Sequence, residues 1–387
     1  MDRVDPKVDE AIETLNMKDG PSRRKLLKGT GLVSATAAAS ALLAACSSSS
    51  SPASAAAKDT AGNFPKTPAW QFWFVNHVTT NTFFTPTQYG FADAAAILDI
   101  PVPKWTGSTN SVASQMVAQI NAAVSAKAAG IATTLINSSS FTTPVGNAMS
   151  AGIPVLSYNA DGVVSKSGVP DIGCNRLAYV GQALFTSGQQ LGERIKSLTT
   201  PGEVAIFIET PGTANIQPRF DGANSILSPL GYKVAEITTT TVPATILANE
   251  KAYLLAHKSV KGAFAVDSTS TSFLAQALSE TGLSHLPNGG FDTVPQTLTN
   301  IKAGTTGFTI YQDPYLQGFL PTIYMYLFNI SGGTLVPPDT DTGLSFITKS
   351  NLAQYNLASR FQGSTTAQKY LPRPSGAISN PPATTST

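Results

Sequence analysis

Residues 111–136 read SVASQMVAQINAAVSAKAAGIATTLI, and a change of period inside them decides the fold class. From Ser111 to Ala128 the apolar residues Val112, Met116, Val117, Ile120, Val124 and Ala128 recur at close to helical spacing, one apolar face of a helix. From Gly130 to Ile136 the period is lost and the run is short, apolar and β-branched, as in a strand buried on both faces. The same alternation extends in both directions. Further strand runs are Trp70–Val75, Ile153–Tyr158, Val204–Ile208, Val234–Ile237, Val260–Val266 and Phe308–Tyr311. Helical stretches lie between and beyond them, at 181–195, 217–227, 244–256, 271–280, 295–302 and 314–329. Strands alternating with helices predict parallel sheets with right-handed crossovers, a doubly wound α/β architecture. The last helix is apolar nearly all round from Tyr315 to Ile330, so deep packing is expected for it.

The N-terminus addresses the compartment. Arg23 and Arg24 precede a short, weakly hydrophobic run from Gly29 to Ala45, the anatomy of an export signal of the twin-arginine type. That run is shorter and more polar than the roughly 20 apolar residues of a membrane-spanning helix. It ends Leu43-Ala44-Ala45-Cys46, which resembles the lipobox of bacterial lipoproteins. The resemblance implies a signal over 1–45 and a lipid on Cys46. A Ser/Ala-rich stretch over 46–65 reads as a flexible tether. Lipidation would leave Cys174 as the single thiol, which excludes an internal disulfide and predicts a small, partly buried residue. The proline- and threonine-rich end, 361–387, reads as a largely disordered tail.

What remains is long enough for two domains. Hydrophobic residues are 42% of the chain and charged ones 12%, about half of the roughly 25% usual in soluble domains. No basic cluster interleaved with aromatics follows the signal, so nucleic acid is not an expected partner. The three histidines, His77, His257 and His285, form no metalloprotease helix, and no nucleophile elbow or phosphate-binding loop occurs. Asp339-Thr340-Asp341 lacks the spaced oxygen ligands of a calcium loop and reads as a turn. Neither a metal nor a cofactor is expected.

Open parallel sheets bind ligands beyond the carboxyl ends of their strands. Polar residues just after the apolar runs are therefore the candidates: Asn81, Asn159, Asp161, Asp267, Asp292 and Gln312. Each could equally be a turn former or a helix cap.

Six ordered motifs make the assignment more specific. They are Thr80-Asn81-Thr82-Phe83-Phe84, Gly152 to Asn159, Tyr179 to Gln182 with Gly188 and Gly192, Gln217 to Gly222, Gly289-Gly290-Phe291-Asp292, and Ile310 to Gly318. With these the chain resembles, over nearly all of 68–355, the sugar-binding members of the type I periplasmic binding proteins. The resemblance implies two α/β lobes joined by three crossovers and closing on ligand like a clamp. Lobe one would comprise about 66–173 and 313–341, and lobe two about 174–312 and 342–360. It also implies that Phe83 and Phe84 stack on a sugar's apolar face. Asn81, Asn159, Asp161, Arg219, Asp267, Asp292 and Gln312 would then hydrogen-bond its hydroxyls.

One departure stands out. Ribose-type members carry an Asp-Arg pair after the fourth strand, where this chain has Asn159-Ala160. The loss of that bidentate arginine argues against ribose and leaves another pentose, a hexose, an inositol or a linear polyol. The implied function is the solute-binding component of an ABC importer, a monomer held to the outer face of the membrane and serving a permease with its ATPase. A lipoprotein sensor docking on a receptor is the alternative, and a glycosidase built on two strand-end carboxylates is the weakest reading.

The lipobox reading makes a direct prediction. Cys46→Ala should move the protein out of the membrane fraction or stop its maturation, and Arg23→Lys with Arg24→Lys should stop export. A Cys46→Ala variant that still takes up radiolabelled lipid would contradict it.

Overall fold

The computed structural model describes residues 68–162 and 175–355. The export signal, Cys46, the tether, Cys174 and the 361–387 tail lie outside the described residues.

The first half runs β1 (Phe72–Asn76), α1 (Thr85–Leu98), β2 (Lys104–Gly107), α2 (Ala113–Ser125), β3 (Gly130–Leu135), α3 (Thr142–Ser150), β4 (Val155–Asp161) and β5 (Tyr179–Gly181). The second half repeats the alternation. It runs α4 (Leu184–Leu198), β6 (Glu203–Ile208), α5 (Gln217–Leu227), β7 (Lys233–Thr238), α6 (Pro243–Ala256), β8 (Ala263–Ala265), α7 (Ser268–Glu280), β9 (Asn288–Phe291), α8 (Pro295–Ala303) and β10 (Phe308–Tyr311). The chain ends with α9 (Leu316–Ile330), β11 (Thr340–Asp341) and β12 (Ser345–Ile347).

Two six-stranded sheets result, in the orders β11-β5-β4-β3-β1-β2 and β12-β10-β9-β8-β6-β7. Pairing is parallel throughout except between β10 and β12. This is the α/β architecture that the alternation predicts. In both sheets the order reverses at the first strand, between β1 and β3 and again between β6 and β8. These are the topological switch points, where crevices open beyond the strand ends.

Central strands are the apolar runs because both faces are covered: every residue of β1 and β3 is buried. Edge strands escape that rule. β2 reads Lys-Trp-Thr-Gly and is partly exposed, so it carries no apolar run to detect.

The passages between the sheets differ from expectation at one point. Tyr179–Gly181 continues the first sheet, with Tyr179 and Val180 in register with Ser157 and Tyr158 of β4. The chain therefore enters the second lobe after Gly181 and not near 173–174, because the β4 ladder claims these backbone groups first. The other passages lie between β10 and α9 and between β11 and β12.

Deep packing of α9 is also corrected. It buries a single stripe (Gln317, Gly318, Pro321, Thr322, Met325 and Tyr326) against the first lobe, and Leu327 on the opposite side is 38% exposed.

One core group is out of character. Glu250 on α6 is fully buried, and neither carboxyl oxygen has a hydrogen-bond partner among the described residues. Burial, and after it the charge of Asp267, holds its carboxyl well above the ordinary value near 4.5. An acid that binds its proton more tightly when folded costs stability as pH rises above its unfolded value. Glu250→Gln should therefore raise stability at pH 7 by about 1–3 kcal/mol, with the gain fading as pH falls toward 4.5. Denaturant melts at both pH values check this, and an equal gain at each would contradict it.

Candidate functional site

The two switch points face one another across a cleft of about 450 Å³, counting its open mouth. Its lining is far more polar than that of most small-molecule sites.

The first wall is built where β1 ends. Asn81 caps the short 3-10 turn Thr82–Phe84, its Oδ1 accepting from the Phe83 N–H at 2.9 Å. That cap turns Phe83 and Phe84 inward as an edge-to-face pair with centroids 4.7 Å apart. Both rings belong to the first lobe's apolar core and also line the cleft. They are core residues with one side on the site. His77, 5% exposed, stands edge-on to Phe84 at 5.4 Å. Burial lowers its imidazole to about 4, so it is neutral at pH 7.

Asn159 and Asp161 part company. Asn159 lies at φ 62°, beside a register shift in the β3–β4 ladder. It lines the cleft, and its Nδ2 donates to Gln317 Oε1 at 3.1 Å. Asp161 does not line the cleft. The bulge breaks the two-residue alternation that would have pointed it the same way. Its carboxylate takes a forked pair from Arg176 at 2.7 and 2.5 Å and a hydrogen bond from Ser157 Oγ. Arg176 also binds Asp339 at 2.7 Å. The expected ligand role of Asp161 is thus corrected: it is one arm of an ion triad tying β4 to the segment before β11.

The second wall centres on Arg219, the one Lys or Arg among the described lining residues. It is 2% exposed. Its Nη1 donates to Val266 O at 3.1 Å and its Nη2 to Gln182 Oε1 at 3.2 Å, and its guanidinium lies 4.2 Å from the Phe291 ring centroid. Glycines bring it there. A Cβ on Gly188 of α4 would stand 2.1 Å from Arg219 O, and one on Gly222 2.2 Å from Phe185 O. Only bare glycines let α4 and α5 cross this closely. Burial lowers the guanidinium below its ordinary value, while Asp292 pulls it back.

Three carboxyl groups line the cleft with this cation. Asp292, at φ 72°, accepts from Gln312 Nε2 at 2.7 Å; burial raises its pKa and Arg219 opposes the rise. Asp267 is the N-cap of α7, its Oδ1 taking the Ser270 N–H at 2.7 Å and its Oδ2 the Glu209 N–H at 2.9 Å. Cap and cleft residue are therefore one and the same. Glu209 follows β6 directly and lines the cleft beside Asp267. Burial raises the pKa of both; the Asp267 charge adds to the rise at Glu209, while at Asp267 the hydrogen bonds it accepts oppose the rise and the Asp292 charge adds to it. Among the described residues no cluster of His, Cys, Asp or Glu could hold a metal ion.

Gln312 lies on the second passage and joins the walls. Its Oε1 accepts from Asn159 Nδ2 at 3.4 Å and from Gln317 Nε2 at 3.1 Å while its Nε2 serves Asp292. The walls also touch directly. Asn81 Nδ2 donates to Ser268 Oγ at 3.3 Å, Asn215 Nδ2 reaches His77 Nε2 at 3.3 Å, and the Ala214 N–H donates to Ile136 O at 3.0 Å.

The structure thus gathers Asn81, Phe83, Phe84, Asn159, Arg219, Asp267, Asp292 and Gln312 around one cleft and leaves Asp161 out. Sequence reasoning passed over His77, Glu209 and Asn215. The first two stand immediately after β1 and β6, so the rule that found Asp267 would have found them. Asn215 sits mid-loop and carries no such signal.

Known proteins bear on this arrangement. A model of the periplasmic binding protein domain matches residues 72–327. The xylose/arabinose-binding protein XylF of Sulfolobus acidocaldarius is 44% identical over 320 residues, which span 80% of this chain and 78% of XylF. An ABC transporter solute-binding protein from Burkholderia graminis, solved in complex with D-arabinose, has a TM-score of 0.69 and 27% identity over 76% of this chain and 99% of its own. GanP, a glucose-galactose binding protein from Geobacillus stearothermophilus, shares the fold with a TM-score of 0.65 and 22% identity, over 74% of this chain and 99% of GanP. The chain belongs to the periplasmic binding protein family, with the type I arrangement of two doubly wound lobes.

Proposed function

We propose that this protein captures a neutral monosaccharide, a pentose first of all, outside the cell and delivers it to an ABC permease driven by its ATPase. The observation that carries the reading is the cleft itself: aromatic edges on one wall, a buried guanidinium and carboxylates on the other. A pyranose has apolar C–H faces and a rim of hydroxyls, and such a lining matches both. Phe83 and Phe84 cover a ring face. Arg219, Asp267 and Asp292 bind hydroxyls from the second lobe; Asn81 and Asn159 do so from the first, and Gln312 from the seam. The 44% identity to a xylose/arabinose-binding protein supports pentoses over inositols and linear polyols.

The twin-arginine signal and Cys46 would place the protein at the outer face of the membrane on its tether. It would work there as a monomer, with neither cofactor nor metal, and bind sugar without turning it over.

Calorimetry with D-xylose, L-arabinose, D-ribose, D-glucose and myo-inositol tests the ligand class, and failure to bind any of them would overturn the proposal. Arg219→Ala and Asp292→Ala should each weaken binding of the preferred sugar by about 2–5 kcal/mol, because each truncation strands buried polar groups. Affinities near wild type in both variants would remove these residues from the site.

A further inference from the structure

Resting on the lipid-anchored reading above, we infer that the edge of the first lobe turned away from the cleft is a membrane-contact surface, seated on the bilayer at the end of the tether. The strands of the first sheet are all parallel, so they start at one edge and point their carboxyl ends toward the cleft. α1 and α9 both run down to that starting edge, α1 to the start of β2 and α9 to the start of β11. They pack side by side, Gly90 on the Tyr315 backbone and Gly318 on that of Thr87, so their last turns stand level. Both ends are apolar and exposed. Ile97 in the last turn of α1 and Val102 just before β2 are more than half exposed, as are Leu335 and Val336 beyond α9, and Leu327 is partly so.

The chain enters at the same edge. The half-buried Trp70 sets its ring 5.5 Å from that of Tyr326, the neighbour of Leu327, and Gln71 Nε2 donates to Val102 O at 3.0 Å. Lys104 and Lys127 are exposed there too, against the carboxylate of Asp99. Aliphatic, aromatic and lysine side chains on one surface are the chemistry that holds a protein at a lipid interface. The tether supplies the reason for a bilayer as the occupant. Residues 47–67 separate Cys46 from Pro68, no more than about 75 Å of fully extended chain. A lipid on Cys46 therefore keeps this edge beside the bilayer, and a contact too weak for free protein becomes intramolecular. The corresponding edge of the second lobe has Leu198, Leu230 and Leu255 at the ends of three different helices, and the chain does not enter there. Seated this way, the first lobe is the fixed jaw and the second is the one that swings.

The test couples the chain from Cys46 onward, which holds every described residue, to vesicles of phosphatidylcholine and phosphatidylglycerol through a maleimide-bearing lipid. A Cys174→Ser background leaves Cys46 as the single thiol. Coupling supplies the anchor whether or not the cell acylates Cys46, so failure here and failure of the lipoprotein reading are distinct results. Brominated acyl chains quench tryptophan on contact, and Trp70 is one of three tryptophans in the chain. Brominated vesicles should therefore remove about a third of the emission seen on unbrominated ones. Ile97→Glu with Leu335→Glu and Val336→Glu should abolish most of that loss, while Leu230→Glu with Leu255→Glu should leave it. Melting temperatures should stay near wild type, because every changed position is exposed. Val336→Glu alone, with a partial effect, replaces the triple variant if that one melts low. The inference is overturned if wild type is not quenched, if the edge variants are quenched like wild type, or if the second-lobe pair abolishes the loss. It is also overturned if sedimentation shows a dimer that the edge variants dissolve, since a second copy would then cover this surface.

Discussion

A guanidinium kept out of water organises this molecule. A charge as deeply buried as Arg219 is tolerable only if neighbours replace its hydration shell, and the fold supplies them from several elements. Val266 O comes from the end of β8, the Phe291 ring from β9, the Gln182 carboxamide from the first passage, and the compensating charge from Asp292. Gln182 Nε2 in turn donates to Gly343 O on the third passage. On the other side Asp292 holds Gln312, and Gln312 O accepts from Gln317 Nε2 and Thr342 Oγ1. Hydrogen bonds thus run from the cation to the first and third connections between the lobes, and the charge of Asp292 links it to the second. What happens at the cleft and how the lobes sit on their hinge are parts of one network.

That coupling gives closure its meaning. A two-state clamp is shifted by ligand only to the extent that ligand binds one state better. The cross-lobe bonds between Asn81 and Ser268, Asn215 and His77, and Ala214 and Ile136 are few and polar, so alone they would contribute little against the water they displace. A sugar spanning both walls adds what they lack. The positive φ angles at Asn159, Asp292 and Asp313 fall at the site and beside the hinge, where local backbone strain tends to gather. Asn and Asp tolerate that conformation better than most side chains, one physical reason to find them there.

Much of this was open to a reading of the sequence. Strands covered on both faces have to be apolar runs, so β1, β3, β4, β6 and β10 are legible, and α5 runs over 217–227 as its pattern predicts. Legibility fails where another constraint sets the residue. β9 is Asn-Gly-Gly-Phe because Thr271 of α7 stands against Gly290, where a Cβ would come within 2.2 Å of its hydroxyl. β5 has three residues and is defined by the ladder it joins. Asp161 misled because the apolar run ends at Tyr158 in the sequence, whereas β4 itself continues to Asp161 through a bulge that only the β3 register reveals. His77 and Glu209 obeyed the strand-end rule and were overlooked. Asn215 depends on a contact from 138 residues away, which no local pattern encodes.

The central claim is that a sugar joins the two lobes, and small-angle scattering of the protein with and without saturating D-xylose tests it most directly. The account predicts that the free protein favours an open form, and that sugar reduces the radius of gyration and removes the longest distances from the distance distribution. Saturation proven by calorimetry with both quantities unchanged would contradict closure around the ligand, and with it the delivery of a loaded clamp to a permease.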